Sequence, residues 1–158
     1  MAACGGDFTV AVTEDGELLA WGAGRDGHLG LGDVLHQQQP ARAGGLFGNQ
    51  RIRLAAAGEC HLAVVAEDGA VYTCGYGVYG QLGLGDGQPR RRLTRVPQAL
   101  FAGSRVVMVS CGGSMCPWKV LCPVRKPSLH LASRRRRTRT ASSRTRASST
   151  TSSRARQS

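Results

Sequence analysis

The chain has 158 residues, 22 of them glycine and only 5% aromatic, which reads as one modest domain of turn-dense β structure. Its net charge of +11 is split: all ten acids lie at or before Asp86, so residues 1–86 carry −6 and the remainder carries +17. No stretch approaches the roughly 18 apolar residues of a membrane span, and Met1 to Gly6 lacks the basic start and apolar core of a secretion signal. Six cysteines read as reduced thiols of an intracellular protein.

Taken in chain order, the elements recur. Cys4-Gly5-Gly6-Asp7 opens a copy, and Phe8 to Thr13 is a short apolar run suited to a buried strand. Asp15-Gly16 supplies a tight hairpin turn, and Leu18 to Gly22 returns, with Trp21 just before the glycine. A segment with Gly24, Gly27, Leu29, Gly30, Leu31, Gly32 and Asp33 follows; its leucines are two apart and can point to one side. A variable polar stretch, Val34 to Gln50, leads to a strand over Arg51 to Ala57.

The pattern then returns without a gap at an offset of 53. Gly58 and His61 open it, His61 to Ala66 is the strand, and Asp68-Gly69 is the turn. Val71 to Gly75 returns, and Gly77, Gly80, Leu82, Gly83, Leu84, Gly85 and Asp86 complete the copy. Five consecutive identities, Leu29 to Asp33 over Leu82 to Asp86, fix the register. A third copy begins at Cys111-Gly112-Gly113 and breaks at Cys116-Pro117-Trp118, where the apolar strand is due. Strand, hairpin, strand and glycine bend about every 50 residues is the plan of propeller blades or solenoid rungs.

Ala55-Ala56-Ala57-Gly58-Glu59-Cys60-His61-Leu62-Ala63-Val64-Val65 and the Trp21-Gly22 to Asp33 segment closely resemble the regulator of chromosome condensation repeat family. The resemblance covers residues 2 to about 115. It implies an all-β fold, a partial β-propeller of consecutive antiparallel four-stranded blades, with copies near 4–56, 57–110 and a broken third from 111. The chain departs from the pattern where Phe8 and Met115 stand in the place of His61, and Cys74 in that of Trp21. Two repeat intervals where the family closes a ring of seven mark a piece of a longer product, a truncated isoform, or a module that completes itself by association.

Chemistry of its own is not expected. Gly22-x-Gly24-x-x-Gly27 and Gly75-x-Gly77-x-x-Gly80 match the dinucleotide fingerprint as text, but no helix can open on Leu-Gly-Leu-Gly-Asp, so no nucleotide cofactor is expected. His61 is read as a buried histidine tying down neighbouring backbone, and His28 as a surface residue. Cys4, Cys60, Cys74 and Cys111 are read as buried packing residues. Cys111, Cys116, Cys122 and His130 lack the knuckle spacing of structural zinc, so no metal is expected. Asp15, Asp33, Asp68 and Asp86 are expected to cap loop backbone.

Residues 116–158, rich in Arg, Ser and Thr, have too little apolar content to order themselves and read as a disordered basic tail. Arg134, Arg135, Arg136 and Arg137 are either an arm for nuclear import or phosphate contact, or part of a frame-shifted or intron-derived segment without function. The function expected is a non-catalytic protein-interaction module, with specificity in Val34 to Gln50 and Gly87 to Val96 and a cytoplasmic or nuclear location. The alternatives are guanine-nucleotide exchange on a small Ran-type GTPase, which the resemblance implies, and chromatin or nucleic-acid association through the tail and Arg90-Arg91-Arg92.

Overall fold

The two full copies of the repeat form two four-stranded antiparallel sheets. The structure, a computed structural model, describes residues 1–43, 50–113 and the backbone of 119–121, all within the unit Met1–Lys126. The basic tail, with Arg134 to Arg137, lies outside the described residues, as do Cys116, Cys122 and His130.

Blade one is β1 (Ala2–Cys4), β2 (Phe8–Val12), β3 (Leu18–Gly22) and β4 (Gln37–Ala43), paired in that order. Blade two is β5 (Ile52–Ala57), β6 (His61–Ala66), β7 (Val71–Gly75) and β8 (Arg90–Arg95), paired likewise. No α-helix occurs among the described residues; a 3₁₀ turn at Gln98–Phe101 leads to β9 (Met108–Ser110) and β10 (Lys119–Leu121).

The sheets are stacked, and the side-chain pattern of each strand follows from that. In β2, Phe8, Val10 and Val12 are buried while Thr9 and Ala11 are half-buried, because only one face is covered. In β6 all six residues are buried, because both faces are covered. One core lies between the blades and joins Val10, Leu18 and Leu29 to Leu62, Val64 and Cys74. A second, on the far side of blade two, joins Ala63, Val65 and Val71 to Val106 and Val109. Each fully buried leucine or valine contributes about 1.5–3 kcal/mol, so the stack rather than either sheet alone carries the stability.

Both copies also share their irregularities. The β3–β4 register shifts between Ala20 and Gly22, and the β7–β8 register between Thr73 and Gly75, the same place in the repeat.

Two expectations need correction here. Val34 to Gln50 and Gly87 to Val96 are not simply variable connectors, since they contain the outer strands β4 and β8. Their polar, basic and Pro-containing sequences hide them: an outermost strand tolerates charge and Pro40 where an inner one would not. The third copy also runs one strand further than its sequence suggests. Its β10 pairs with β9 through a longer loop, for Ser110 meets Lys119 where Ala56 meets Ala63.

Candidate interaction surface

The repeat residues do three jobs, each carried out alike in the two blades. Asp15-Gly16 and Asp68-Gly69 turn the central hairpins, with Gly16 and Gly69 at φ +79° and +85°. The Gly16 and Gly69 N–H groups donate to Thr13 and Ala66 carbonyls at 3.1 and 2.9 Å. Past Trp21-Gly22 and Cys74-Gly75, the bends run Gly24, Gly27, Leu29, Gly30 and Gly77, Gly80, Leu82, Gly83. The Gly27, Gly30, Gly80 and Gly83 N–H groups each donate to the carbonyl three residues back, at 2.9–3.0 Å. Gly5 and Gly58 N–H groups donate to Phe8 and His61 carbonyls at 2.8 Å, and the Phe8 and His61 rings lie against those glycines, where a Cβ would collide with them. Three of the four turn aspartates accept a backbone N–H two residues on: Asp33 from Leu35, Asp68 from Ala70 and Asp86 from Gln88.

Of the two histidines, one differs from expectation. His61 is fully buried as expected; its ring packs on Gly58, and among the described residues neither ring nitrogen has a hydrogen-bond partner. His28 is not on the surface; it is 4% exposed. Its ring lies 4.5 Å from that of Phe8, and it fits because Gly75 leaves the space: a Cβ there would stand 2.9 Å from the His28 Cβ. Its repeat counterpart Gln81 is buried too, and its Oε1 accepts the Tyr79 N–H at 2.9 Å. Burial lowers both imidazoles from the ordinary value. For His28 the Ala23 backbone and Asp26 oppose this, Nδ1 standing 3.9 Å from Asp26 Oδ2; for His61 the nearby His28 adds to it.

The thiols of Cys60, Cys74 and Cys111 are poor nucleophiles. Cys74 is fully buried and Cys111 half-buried; burial raises both, Cys111 to about 12. Cys60 is raised by burial and then by Asp26. Cys4, expected in the core, is exposed at the end of β1, where side chains alternate and Ala3 rather than Cys4 packs against the core. Among the described residues no group of three or more His, Cys, Asp or Glu is placed to hold a metal ion.

What remains is a surface. Gly24 backs onto Leu35, Gly27 onto Arg91, and Gly77 onto Gln88, so the bends, Leu35 and the start of β8 form one continuous strip. Blade one's bend tip is Ala23-Gly24-Arg25-Asp26; blade two's is Tyr76-Gly77-Val78-Tyr79. Val78 and Tyr79 are 54% and 56% exposed, and Tyr76 meets Tyr79 edge-on at 5.8 Å. Arg25, Arg91 and Arg92 are exposed beside them, while Arg90 is engaged by Asp86. Apolar and aromatic groups near arginines that have no ion-pair partner among the described residues are what protein-binding patches contain. The signal in the sequence is the repeat itself: the tips are where two otherwise matching copies diverge.

Residues 15–65 and 68–116 match the regulator of chromosome condensation (RCC1) repeat, and a second profile of that repeat matches 2–27 and 52–81. The ultraviolet-B receptor UVR8 of Arabidopsis thaliana is 46% identical over 86 residues, 54% of this chain and 19% of that protein. The human E3 ubiquitin-protein ligase HERC2 is 38% identical over 108 residues, 68% of this chain and 2% of that protein. Among solved structures, Prp20p of Saccharomyces cerevisiae, described with its binding to Gsp1p and histones, superposes with a TM-score of 0.63 at 23% identity, over 72% of this chain and 28% of that one. The chain thus spans less than a third of each of these proteins. Among the described residues no helix is long and apolar enough to cross a membrane.

Proposed function

Because this chain belongs to the regulator of chromosome condensation (RCC1) repeat family, we propose that it works as a protein-interaction module whose contact surface is the strip of glycine bends, with no catalysis of its own. The observation that carries this is the exposed Val78-Tyr79 pair at blade two's bend tip, an apolar substitution into a rigid bend whose counterpart is Arg25-Asp26. Rigid presentation matters, because a pre-ordered loop loses little entropy on binding. Prp20p, a neighbour in fold described by its binding to Gsp1p and histones, supports a macromolecular partner. A cytoplasmic or nuclear location is part of the same reading.

The test is site-specific photocrosslinking. A benzophenone at Tyr79, with the protein dilute enough to be monomeric, should capture a partner protein different in mass from this chain, and one at Asp68, at the hairpin-turn end, should not. Equal capture at both positions, or none at Tyr79, rejects the surface. Exchange on a Ran-type GTPase is measured separately as nucleotide release; the present reading expects no acceleration, since the chain spans 28% of Prp20p.

A further inference from the structure

Blade one's bend is filled from outside by a strand of blade two. The Arg91 Cα lies 2.7 Å from where a Cβ on Gly27 would be, the Leu93 side chain 3.1 Å from one on Gly30, and Arg92 Nε 2.6 Å from one on Gly32. The Gly32 N–H donates to the Arg91 carbonyl at 2.9 Å, and Leu31 and Arg92 form an antiparallel bridge. Among the described residues, blade two's bend is open at Gly80 and Gly85. Gly80 and Gly85 are exposed, no other described residue comes within 4 Å of a Cβ built on either, and the Gly85 N–H, counterpart of Gly32, has no partner among the described residues.

The strand that fills blade one's bend is β8, whose repeat counterpart is β4. In β4, Gln38, Gln39 and Pro40 are exposed on an outermost strand. Among the described residues, one chain therefore carries both an open bend and an outer strand, free on one edge, of the kind that fills one. The tip Arg25-Asp26 goes with Arg91-Arg92; at the offset of 53 the uncharged tip Val78-Tyr79 goes with the uncharged Gln38-Gln39.

We propose that β4 of a second copy of this chain docks on the Gly80–Gly85 bend of the first, with the second copy's Gln38 carbonyl accepting the Gly85 N–H. The inner part of that side is taken, because β9 packs on β5 and β6. The contact is thus an outer strand laid on a bend, as in β-strand addition. It is small, in the range below about 1,200 Å² where weak complexes lie. Because strand on one copy meets bend on the next, the arrangement is head-to-tail and adds copies in a row.

Sedimentation velocity of the full chain over about two decades of micromolar concentration tests this. The weight-average mass should climb with concentration. Val78→Arg with Tyr79→Asp, which gives blade two the charged tip of blade one, should weaken association about tenfold or more. Adding Gln38→Arg and Gln39→Arg to that variant should restore it. All four positions are exposed or at a loop tip, and far-UV circular dichroism should be the same for every variant. A chain that stays monomeric throughout, association untouched by the charged tip, or loss without return in the fourfold variant overturns the proposal.

Discussion

The hairpin-turn end and the glycine-bend end of the blades are built to different rules. At the hairpin end the two blades are one design used twice: Glu14-Asp15-Gly16 and Glu67-Asp68-Gly69 turn alike. Gly16 backs onto Arg51, and Gly69 onto Arg105. The Ile52 N–H donates to the Gly16 carbonyl at 2.8 Å, and the Val106 N–H to the Gly69 carbonyl at 3.4 Å. Each turn therefore binds the chain where it enters the following sheet, at Ile52 of β5 and at Val106 just before β9. At the bend end the backbone again follows one path, but the tips carry different chemistry and, among the described residues, only blade one's bend is covered. Stacking is fixed at one end, and the other is left free to differ.

That contrast can be broken most directly with glycine substitutions. Gly16→Val and Gly69→Val place a branched side chain at positive φ, with its Cβ 2.6–2.8 Å from the Arg51 or Arg105 Cβ. Each should cost about 4 kcal/mol in urea unfolding. A large inequality between them would refute the equivalence of the two turns. Gly27→Ala and Gly80→Ala sharpen the other side. Their φ angles are +73° and +77°, but only Gly27 is crowded, so the first should cost about 3 kcal/mol and the second about 1. Equal costs would mean that blade two's bend is covered after all.

The seam beneath the bends adds a pH dependence. His28 and His61 are held below 6.5 when folded, so the unfolded chain takes up protons first as pH falls. Their contribution is complete above the ordinary imidazole range and is lost as pH drops through about 6.5 towards the lower folded values. His28→Gln, the residue its counterpart carries, should flatten that slope by about half in unfolding measured from pH 8 to 5. An unchanged slope would remove His28 from the account. Smallest of all, Tyr79→Ser should alter stability by no more than about 0.5 kcal/mol, since the ring is exposed.

How much of this was legible depended on pattern. The strands Leu18–Gly22, His61–Ala66 and Val71–Gly75 could be read to the residue, because apolar runs bounded by Asp-Gly and Gly leave little freedom. β4 and β8 could not, because Gln37-Gln38-Gln39-Pro40 and Arg90-Arg91-Arg92 carry no alternation, and half-covered outermost strands need none. The burial of His28 was hidden by its residue type. Its one sequence trace is that both copies place a long uncharged polar side chain, His28 or Gln81, between a bend glycine and an inward leucine. The bend surface was foreseeable in kind as loops between strands, but not in place, since which tip is covered depends on how the sheets stack.

Cys74 offers a consequence of its own. Its thiol is sealed in the seam, with Sγ 3.4 Å from the His28 carbonyl and 3.2 Å from where a Cβ on Gly30 would be. Cys4 stands open to solvent. A thiol reagent should therefore modify Cys4 at once and Cys74 only when one sheet lifts off the other. The lag between the two reactions is a clock, already present in the native chain, for how often the stack comes apart.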